Sequence, residues 1–401
     1  MLTHIAEHHL YRIRLWYLLQ HSLSSYHKLV QYFGSAQAAS EQKALLQWKS
    51  LGLHKSHVQR AEQFYSDGGQ QQFQQMLNLL LQHCDFILCP DDSDYPAQLI
   101  PFDDCPPLIF GQGQLHALSQ IQVAIVGSRK ASTHGPQIAY DFAQYLSAKG
   151  FYITSGMAHG IDHAAHMGGL QHQKTIAVIG TGIDQVYPAQ NKTLQQDILR
   201  QNGTIISEFL PTTPPLQHHF PRRNRIISAL SLGTLVIEAT SKSGSLSTAR
   251  WAMEQGKTVF AVPGHIYSGF AEGCHQLIRE GATLVDHPEQ IVQDLAQASL
   301  WQQQGIHLTT PKVSVTPMPM PMPANPNNDH ATPNTPAFTT PTVDVPADLL
   351  PLYEQLDWTG QSMDQLGMAL TLSTADLTSQ LMQLELLGVC LQQGGLYLKC
   401  R

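Results

Sequence analysis

The segment IQVAIVGSRK at residues 121–130 decides the fold of this chain. Its apolar, β-branched run lacks polar alternation, which is typical of a strand buried on both faces of a sheet. Further short runs of this kind follow, separated by stretches with helical periodicity. The predicted strands are 123–126, 152–155, 175–179, 204–208, 234–238, 258–262 and 283–285. Strands that alternate with helices predict right-handed crossovers, so we expect a Rossmann-like, doubly wound and mostly parallel α/β sheet over residues 121–298.

Smaller modules flank this predicted sheet. Residues 1–82 carry short apolar periods, which predict a small helical domain of the SAM or helix-hairpin-helix type, and residues 83–120 read as a connector with a strand at 108–110. Proline is dense over 299–346, which favours a solvated linker. Residues 347–401 read as a winged-helix-like module. Its predicted helices are 349–356, 363–370 and 374–387, and its hairpin strands 389–391 and 396–399 flank Gly394 and Gly395.

The amino-acid composition excludes several classes of protein. Apolar residues make up 42% of the 401 positions and charged residues 13%, which excludes a disordered acidic chain, a coiled coil and a ribosomal-type basic protein. The net charge is -7, but residues 121–292 hold 13 basic and 11 acidic residues and are the one region with a positive balance. We therefore expect any polyanionic partner to bind there.

The chain also lacks membrane and secretion signals. It contains no apolar run long enough to cross a bilayer, and its first 20 residues include acidic and histidine side chains where a signal peptide needs an apolar stretch. The six cysteines are scattered without CxxC pairs. We expect a cytoplasmic protein with reduced thiols and no membrane partner.

Small residues follow several predicted strands, where helix N-termini converge in an open parallel sheet. Such loops expose backbone N–H groups and form anion sites, although Ser and Gly cap helices in many α/β proteins. The candidate phosphate-binding residues are Gly127, Ser128, Arg129, Lys130, Ser155, Gly156, Gly180, Gly182, Lys242, Gly244 and Ser245. Neither GxGxxG nor GxxxxGK[ST] occurs, which argues against a dinucleotide cofactor and against P-loop hydrolysis. We expect no cofactor.

The segment HHFPRRNRIIS at 218–228 adds the strongest nucleic-acid signal. An aromatic platform beside forked cations is what single-stranded nucleic acid requires. The candidate residues are Phe220, Arg222, Arg223, Asn224 and Arg225. The alternative is an ion-pair network of these arginines with Glu208 and Glu238, with Phe220 in the core. For at least one arginine, Arg223 or Arg225, we expect that alternative to hold.

The runs GSR, SGMAHGID, GTGIDQVYP, FPRRNRIIS, SGSLSTA and VPG occur in this order and closely resemble the DNA-processing protein A (DprA/Smf) family. The resemblance implies a non-enzymatic protein that binds and protects incoming single-stranded DNA and loads the RecA recombinase during natural transformation. It implies that Arg129 holds a phosphate and that Phe220 stacks on a base. Some relatives have Lys where this chain has Gln217, with Lys192 or Lys130 as substitutes.

The resemblance also implies a homodimer formed through the far end of the sheet. The expected contacts are His275, Ile278 and Leu284, whereas Leu277 and Val285 are expected to pack on their own sheet. Two linked binding sites on one strand would raise avidity without new contacts.

Some features depart from the family pattern or offer alternatives. The turn at residues 21–25 lacks the glycines of a helix-hairpin-helix, so we expect no strong DNA binding there. The winged-helix module has no Lys or Arg between 347 and 398, which argues against duplex reading and favours protein docking or a structural role. His159, His163 and His166 fall on one helical face, yet no Cys or carboxylate cluster completes a metal site, and we expect no metal.

A nucleotide-processing enzyme is the competing function. Residues 232–239, LGTLVIEA, have the shape of the Gly-rich loop followed by Glu in phosphoribohydrolase-type Rossmann proteins. The usual Pro-Gly-Gly before this loop is absent. The enzyme alternative would depend on Glu238.

Overall fold

The strand predicted at 123–126 lies inside a nine-stranded sheet in the computed structural model of the chain. The structure describes residues 4–303, 345–346, 348–356, 360–370, 372–387, 389–393 and 396–399. These fall into two compact units, residues 1–308 and 309–401, which are treated separately below.

The sheet of the first unit confirms the predicted α/β class. Its strands are β1 (Phe86–Leu88), β2 (Ile109–Gly113), β3 (Gln122–Gly127), β4 (Tyr152–Ser155), β5 (Thr175–Val178), β6 (Thr204–Ser207), β7 (Gly233–Ile237), β8 (Thr258–Ala261) and β9 (Thr283–Leu284). Their order is β1-β2-β6-β5-β4-β3-β7-β8-β9. Neighbours from β6 to β9 pair in parallel, whereas β1 and β2 add an antiparallel edge. The segment predicted as a connector therefore contributes two strands to the sheet.

Helices cover the sheet as the crossovers require. They are α7 (Gly135–Ala148), α8 (Ile161–Leu170), α9 (Lys192–Arg200), α10 (His219–Leu230), α11 (Ser245–Glu254), α12 (Glu272–Arg279) and α13 (Pro288–Gln303). Buried β-branched and aliphatic strand residues form the two cores that these helices close. Helix α13 continues past residue 298, where the sequence places the end of this domain.

The N-terminal segment is helical, as predicted. It contains α1 (Glu7–Leu18), α2 (Leu23–Phe33), α3 (Ala36–Ala39), α4 (Leu45–Ser50), α5 (Lys55–Phe64) and α6 (Asp67–His83). These helices share one core cluster with residues of β5, β6 and α9. Trp16 of α1 is fully buried, and its Nε1 donates to the backbone oxygen of Glu208 at 2.8 Å. The helical segment and the sheet are thus packed as one unit, while the predicted boundaries at 82 and 120 stay predictions.

The second unit has the predicted winged-helix outline. It comprises α14 (Leu350–Gln355), β10 (Gln361–Ser362), α15 (Met363–Leu370), α16 (Thr374–Leu386), β11 (Cys390–Gln393) and β12 (Leu396–Lys399). The three strands pair in the order β10-β12-β11 around a core of leucines. Gly394 and Gly395 of the predicted hairpin, and residues 304–344 of the predicted linker, lie outside the described residues. In the part of the chain that the structure describes, none of the helices has both the length and the apolarity needed to cross a membrane.

Candidate nucleic-acid interface

The order of the strands creates a crevice at the carboxyl ends of the parallel strands. From β3 the chain runs outward through β4, β5 and β6, then returns through α10 to β7 on the other side of β3. Gly127 at the end of β3 pairs with Ile237 at the end of β7, and the chain continues from these two residues to α7 and α11, respectively. This is the topological switch point at which open parallel sheets bind ligands.

A groove of about 900 Å³ occupies this switch point. The predicted site residues that line it are Gly127, Ser128, Arg129, Lys130, Phe220, Arg223, Asn224, Lys242, Gly244 and Ser245. A smaller pocket of about 60 Å³ is lined by Gly156 and Gly180 together with Arg129, Phe220 and Arg223. The structure thus brings residues from four separate loops and from the helices α10 and α11 onto one surface. Phosphate binding by these residues stays a prediction.

The last position of β3, before the turn, has room only for glycine. A Cβ on Gly127 would lie 1.9 Å from the backbone oxygen of Ile237, so the close approach of β3 and β7 excludes a side chain. The Ser128 N–H donates to the Glu238 backbone oxygen at 2.8 Å, and the Glu238 carboxylate accepts the Ser132 N–H at 2.8 Å and the Ser132 hydroxyl. These bonds fix both ends of the turn and leave Arg129 and Lys130 exposed.

A cationic side chain and two aromatic rings lie next to one another in the groove. The Arg129 guanidinium carbon lies 5.6 Å from the centroid of the half-buried Phe220 ring. The Tyr187 ring lies 5.2 Å from Phe220 with an interplanar angle of 36°, and 41% of Tyr187 is exposed. An exposed ring beside a forked cation can stack on a base while the cation binds the adjacent phosphate. Tyr187 was not predicted as a site residue, although it lies in the run GTGIDQVYP quoted above.

Arg223 supports the floor of the groove from within. It is 5% exposed, and its Nη1 donates to the backbone oxygen of Gly156 at 2.7 Å and to that of Val178. Burial lowers the pKa of Arg223 to about 10, with the nearby Asp162 carboxylate opposing this change. Asn224 connects α10 to α11, because its Nδ2 donates to the Ser247 hydroxyl at 2.8 Å.

Arg222 and Arg225 are engaged elsewhere. Both form fork-like hydrogen bonds with the buried Glu208 carboxylate, at 2.8 and 3.0 Å from Arg222 and at 2.9 Å twice from Arg225. Burial alone would raise the pKa of Glu208, but Arg225 and Arg222 lower it. The Arg222 guanidinium also lies over Trp16 and Phe209, on the side of the N-terminal helices. The ion-pair alternative therefore holds for these two arginines with Glu208, whereas Glu238 hydrogen-bonds Ser132 instead.

Three further predicted residues lie outside the lining of the groove. Ser155 is fully buried, and its hydroxyl donates to the Ile125 backbone oxygen at 2.6 Å. Gly182 is buried, with its N–H donating to Thr213, and Lys192 is exposed at the start of α9. Gln217, the position of the missing lysine, does line the groove, as does Lys130.

The histidines on α8 and before it do not converge. His159 Nε2 contacts Gln190 Oε1 at 3.3 Å, His163 Nδ1 contacts Asn191 Oδ1 at 3.0 Å, and His166 Nδ1 contacts Thr175 Oγ1 at 2.7 Å. Within the described residues, the group of side chains suited to a metal ion lies elsewhere and contains none of these three.

The turn at residues 21–25 is part of the contact between the helices and the sheet. The His21 Nε2 accepts the Leu210 N–H at 3.2 Å, and the His21 backbone oxygen accepts from Arg222. Burial, assisted by Arg222, lowers the pKa of His21 to about 3. These contacts direct the turn toward the protein interior.

The predicted dimer residues lie near the β9 edge of the sheet. Leu284 is 48% exposed on β9, Ile278 is half-buried on α12, and His275 Nε2 lies 3.0 Å from the Gly264 backbone oxygen. Leu277 and Val285 are buried in the core of their own chain, as expected.

Two family models match the chain. The model of DNA recombination-mediator protein A matches residues 86–296, and that of the DprA winged helix domain matches residues 336–395. The first match covers more than half of the chain and contains every lining residue of the groove. The chain belongs to the DprA/Smf family. It is therefore related to DNA-processing proteins, and its winged-helix unit is the one typical of DprA.

Individual relatives agree with this assignment. The chain is 47% identical over 216 residues to Protein Smf of Escherichia coli, which covers 53% of this chain and 58% of that protein. It is 35% identical over 328 residues to Protein Smf of Synechocystis, covering 77% and 79% of the two chains. The X-ray structure of DprA from Streptococcus pneumoniae superposes with a TM-score of 0.61 at 36% identity, over 72% of this chain and 97% of that one.

Proposed function

We propose that this DprA/Smf-family protein binds single-stranded DNA in the groove at the β3–β7 switch point and delivers the strand to RecA. The observation that carries the proposal is the combination of Arg129, Phe220 and Tyr187 in the groove at the switch point. Rings with an exposed face accept any base, and an exposed guanidinium binds any phosphate, so this surface favours a strand over a defined small ligand.

The lining of the groove is suited to binding single strands of any base sequence. The side chains of Arg129, Lys130 and Lys242 supply positive potential without reading base edges. A duplex has its bases stacked inside and cannot insert one against Phe220 without unstacking. We therefore expect single strands to bind more tightly than duplex of the same length.

Delivery to RecA and protection of incoming DNA during natural transformation are the cellular role that we infer. The family description as a recombination mediator supports the delivery step. We place this role in the cytoplasm, where RecA acts, and we infer that the protein needs no cofactor. The test is RecA nucleation on strands coated with single-strand-binding protein, which the chain should accelerate.

We also propose that the protein works as a homodimer through the β9 edge. The short strand β9 at the end of the sheet, with the exposed Leu284, can pair with a second copy. Two grooves in one dimer would then engage one strand, and the residence time of the strand would lengthen by avidity.

The enzyme alternative has less support. The Glu238 carboxylate binds Ser132 and is not part of the groove lining, so it is poorly placed to act on a bound nucleotide. Incubation with nucleoside monophosphates should release no base. Base release that disappears in Glu238→Gln would reverse this conclusion.

The decisive experiment is fluorescence-anisotropy titration of a short labelled oligonucleotide, first single-stranded and then duplex, at two salt concentrations. We expect preference for the single strand and weaker binding at the higher salt concentration. Equal affinity for both forms, or no binding to either, would refute the proposal.

A further inference from the structure

Four side chains of metal-binding types meet on the side of the unit where α1 contacts the segment after β1. His8 and His9 lie in the first turn of α1, whereas Cys89 follows β1 directly and Asp92 lies in the same loop. One ligating atom from each of the four lies within 4.8 Å of the others. The His8 and His9 Nε2 atoms lie 2.9 and 2.7 Å from the two oxygens of the Asp92 carboxylate.

The distances suit a small tetrahedral ion. Zinc ligands lie about 2.0–2.3 Å from the metal, which separates neighbouring ligand atoms by roughly 3.3–3.7 Å. The two histidine–carboxylate contacts need to widen by only about half an ångström to reach this spacing. Since all four ligating atoms lie within 4.8 Å of one another, every pair is within roughly 1 Å of the spacing that the ion requires.

The donor set and its charge point to the same ion. Two imidazoles, a thiolate and a carboxylate are ligands that Zn²⁺ accepts, and the two anionic groups would neutralise its charge. Arg12 lies nearby, but it forms an ion pair with Asp91, which offsets its positive charge. The cluster also differs from a chance surface grouping, because Cys89 is fully buried and the His9 side chain is 12% exposed.

Outer contacts already hold the ligands in place. The Cys89 N–H donates to the Asp92 carboxylate at 2.6 Å, which fixes the loop that carries both ligands. The Cys89 sulfur receives a backbone hydrogen bond from Asp91, a contact that stabilises a thiolate. The His8 side chain is 52% exposed and offers a route by which an ion can enter.

We propose that His8, His9, Cys89 and Asp92 bind one Zn²⁺ ion that fastens helix α1 to the segment after β1. Four protein ligands close the coordination sphere, so the ion would be structural. The site is separate from the DNA groove.

The test uses the full chain, freed of metal with a chelator and titrated with Co²⁺ and then Zn²⁺. We expect one equivalent of Co²⁺ to give the visible ligand-field bands of a tetrahedral site and a near-ultraviolet thiolate-to-cobalt band, both removed by one equivalent of Zn²⁺. His8→Gln should weaken Zn²⁺ binding at least about 10-fold, and Cys89→Ser should abolish the thiolate band.

Matched controls separate this site from adventitious binding by the 21 histidines of the chain. Cys84→Ser changes a buried free cysteine outside the cluster, and His172→Gln changes an exposed histidine outside it. Both should behave like the unaltered chain. The absence of a stoichiometric tetrahedral spectrum, or equal Zn²⁺ affinity in His8→Gln and His172→Gln, would overturn the proposal. His8 is exposed, so its replacement is not expected to prevent folding.

Discussion

Replacing Arg129 and Arg222 in turn separates an arginine that meets DNA from one that stabilises the protein. Arg129 is exposed in the groove, and its contact in the described residues is with the Phe220 ring. Arg222 lies 2.8 Å from the buried Glu208 carboxylate and packs over two rings. Replacing Arg129 should therefore reduce DNA affinity, whereas replacing Arg222 should reduce the stability of the fold.

For Arg129→Ala we expect strand binding to weaken by about 1–3 kcal/mol, or roughly 5- to 150-fold. Loss of one phosphate contact should also lower the slope of log affinity against log salt by about 0.7. Arg129→Lys keeps the charge, so it should restore most of the slope while losing the forked geometry that a phosphate prefers. The midpoint of thermal unfolding should change little, because the side chain is exposed.

For Arg222→Ala we expect the opposite result. Glu208 keeps its pair with Arg225, so the loss of stability should be about 2 kcal/mol, with a fall of a few degrees in the unfolding midpoint. Its salt slope should equal that of the unaltered chain. The assays are anisotropy titration at four salt concentrations and differential scanning fluorimetry. An unaltered salt slope and affinity in Arg129→Ala would refute the assignment of that residue, and a reduced slope in Arg222→Ala would refute the structural role of the Glu208 pair.

Three more predictions follow from the site and the core. Phe220→Ala should weaken strand binding by about 1–3 kcal/mol with no change in salt slope, because stacking carries no charge, and Phe220→Trp should keep affinity; a changed slope would contradict the stacking role. Leu284→Arg should convert a dimer to a monomer in light scattering, whereas a monomeric unaltered chain would contradict the proposed interface. Burial lowers the pKa of His166 to about 3, so the unfolded state binds a proton that the folded state does not as pH falls below about 6.5. The free energy of unfolding should therefore decrease as the pH is lowered from about 6 to 4. In urea titrations, His166→Gln should reduce this dependence on pH by about 1.4 kcal/mol per pH unit. An unchanged dependence on pH would show that His166 does not titrate this way.

Local patterns were sufficient for the sheet. A strand buried on both faces needs an unbroken apolar run, and a tight turn after it needs glycine or serine, so both can be read within about ten residues. For this reason the strands of the parallel core were predicted correctly and the loop residues that line the groove were largely identified. The antiparallel strand β1 was missed, because three residues pairing with a distant segment leave no periodicity to detect.

Contacts between distant segments could not be predicted in the same way. Tyr187 approaches Phe220 from a separate loop, and His8 and His9 meet Asp92 across more than 80 residues. The spacing of these residues along the sequence does not indicate either contact. Only the packing of α1 against the sheet, and of the loops around the switch point, brings them together.

The arginines at 222–225 illustrate which properties of the site the sequence predicts and which depend on the tertiary structure. The sequence by itself determined that cations and an aromatic ring begin a helix at the binding edge of a parallel sheet, because composition and periodicity are local properties. A helix turns by about 100° per residue, so adjacent arginines face different neighbours. Arg222 and Arg225, three positions apart, share the face toward Glu208, while Arg223 points to the Gly156 backbone beneath the groove. Which cation is free for DNA depends on what lies opposite each face, and only the folded chain supplies those partners.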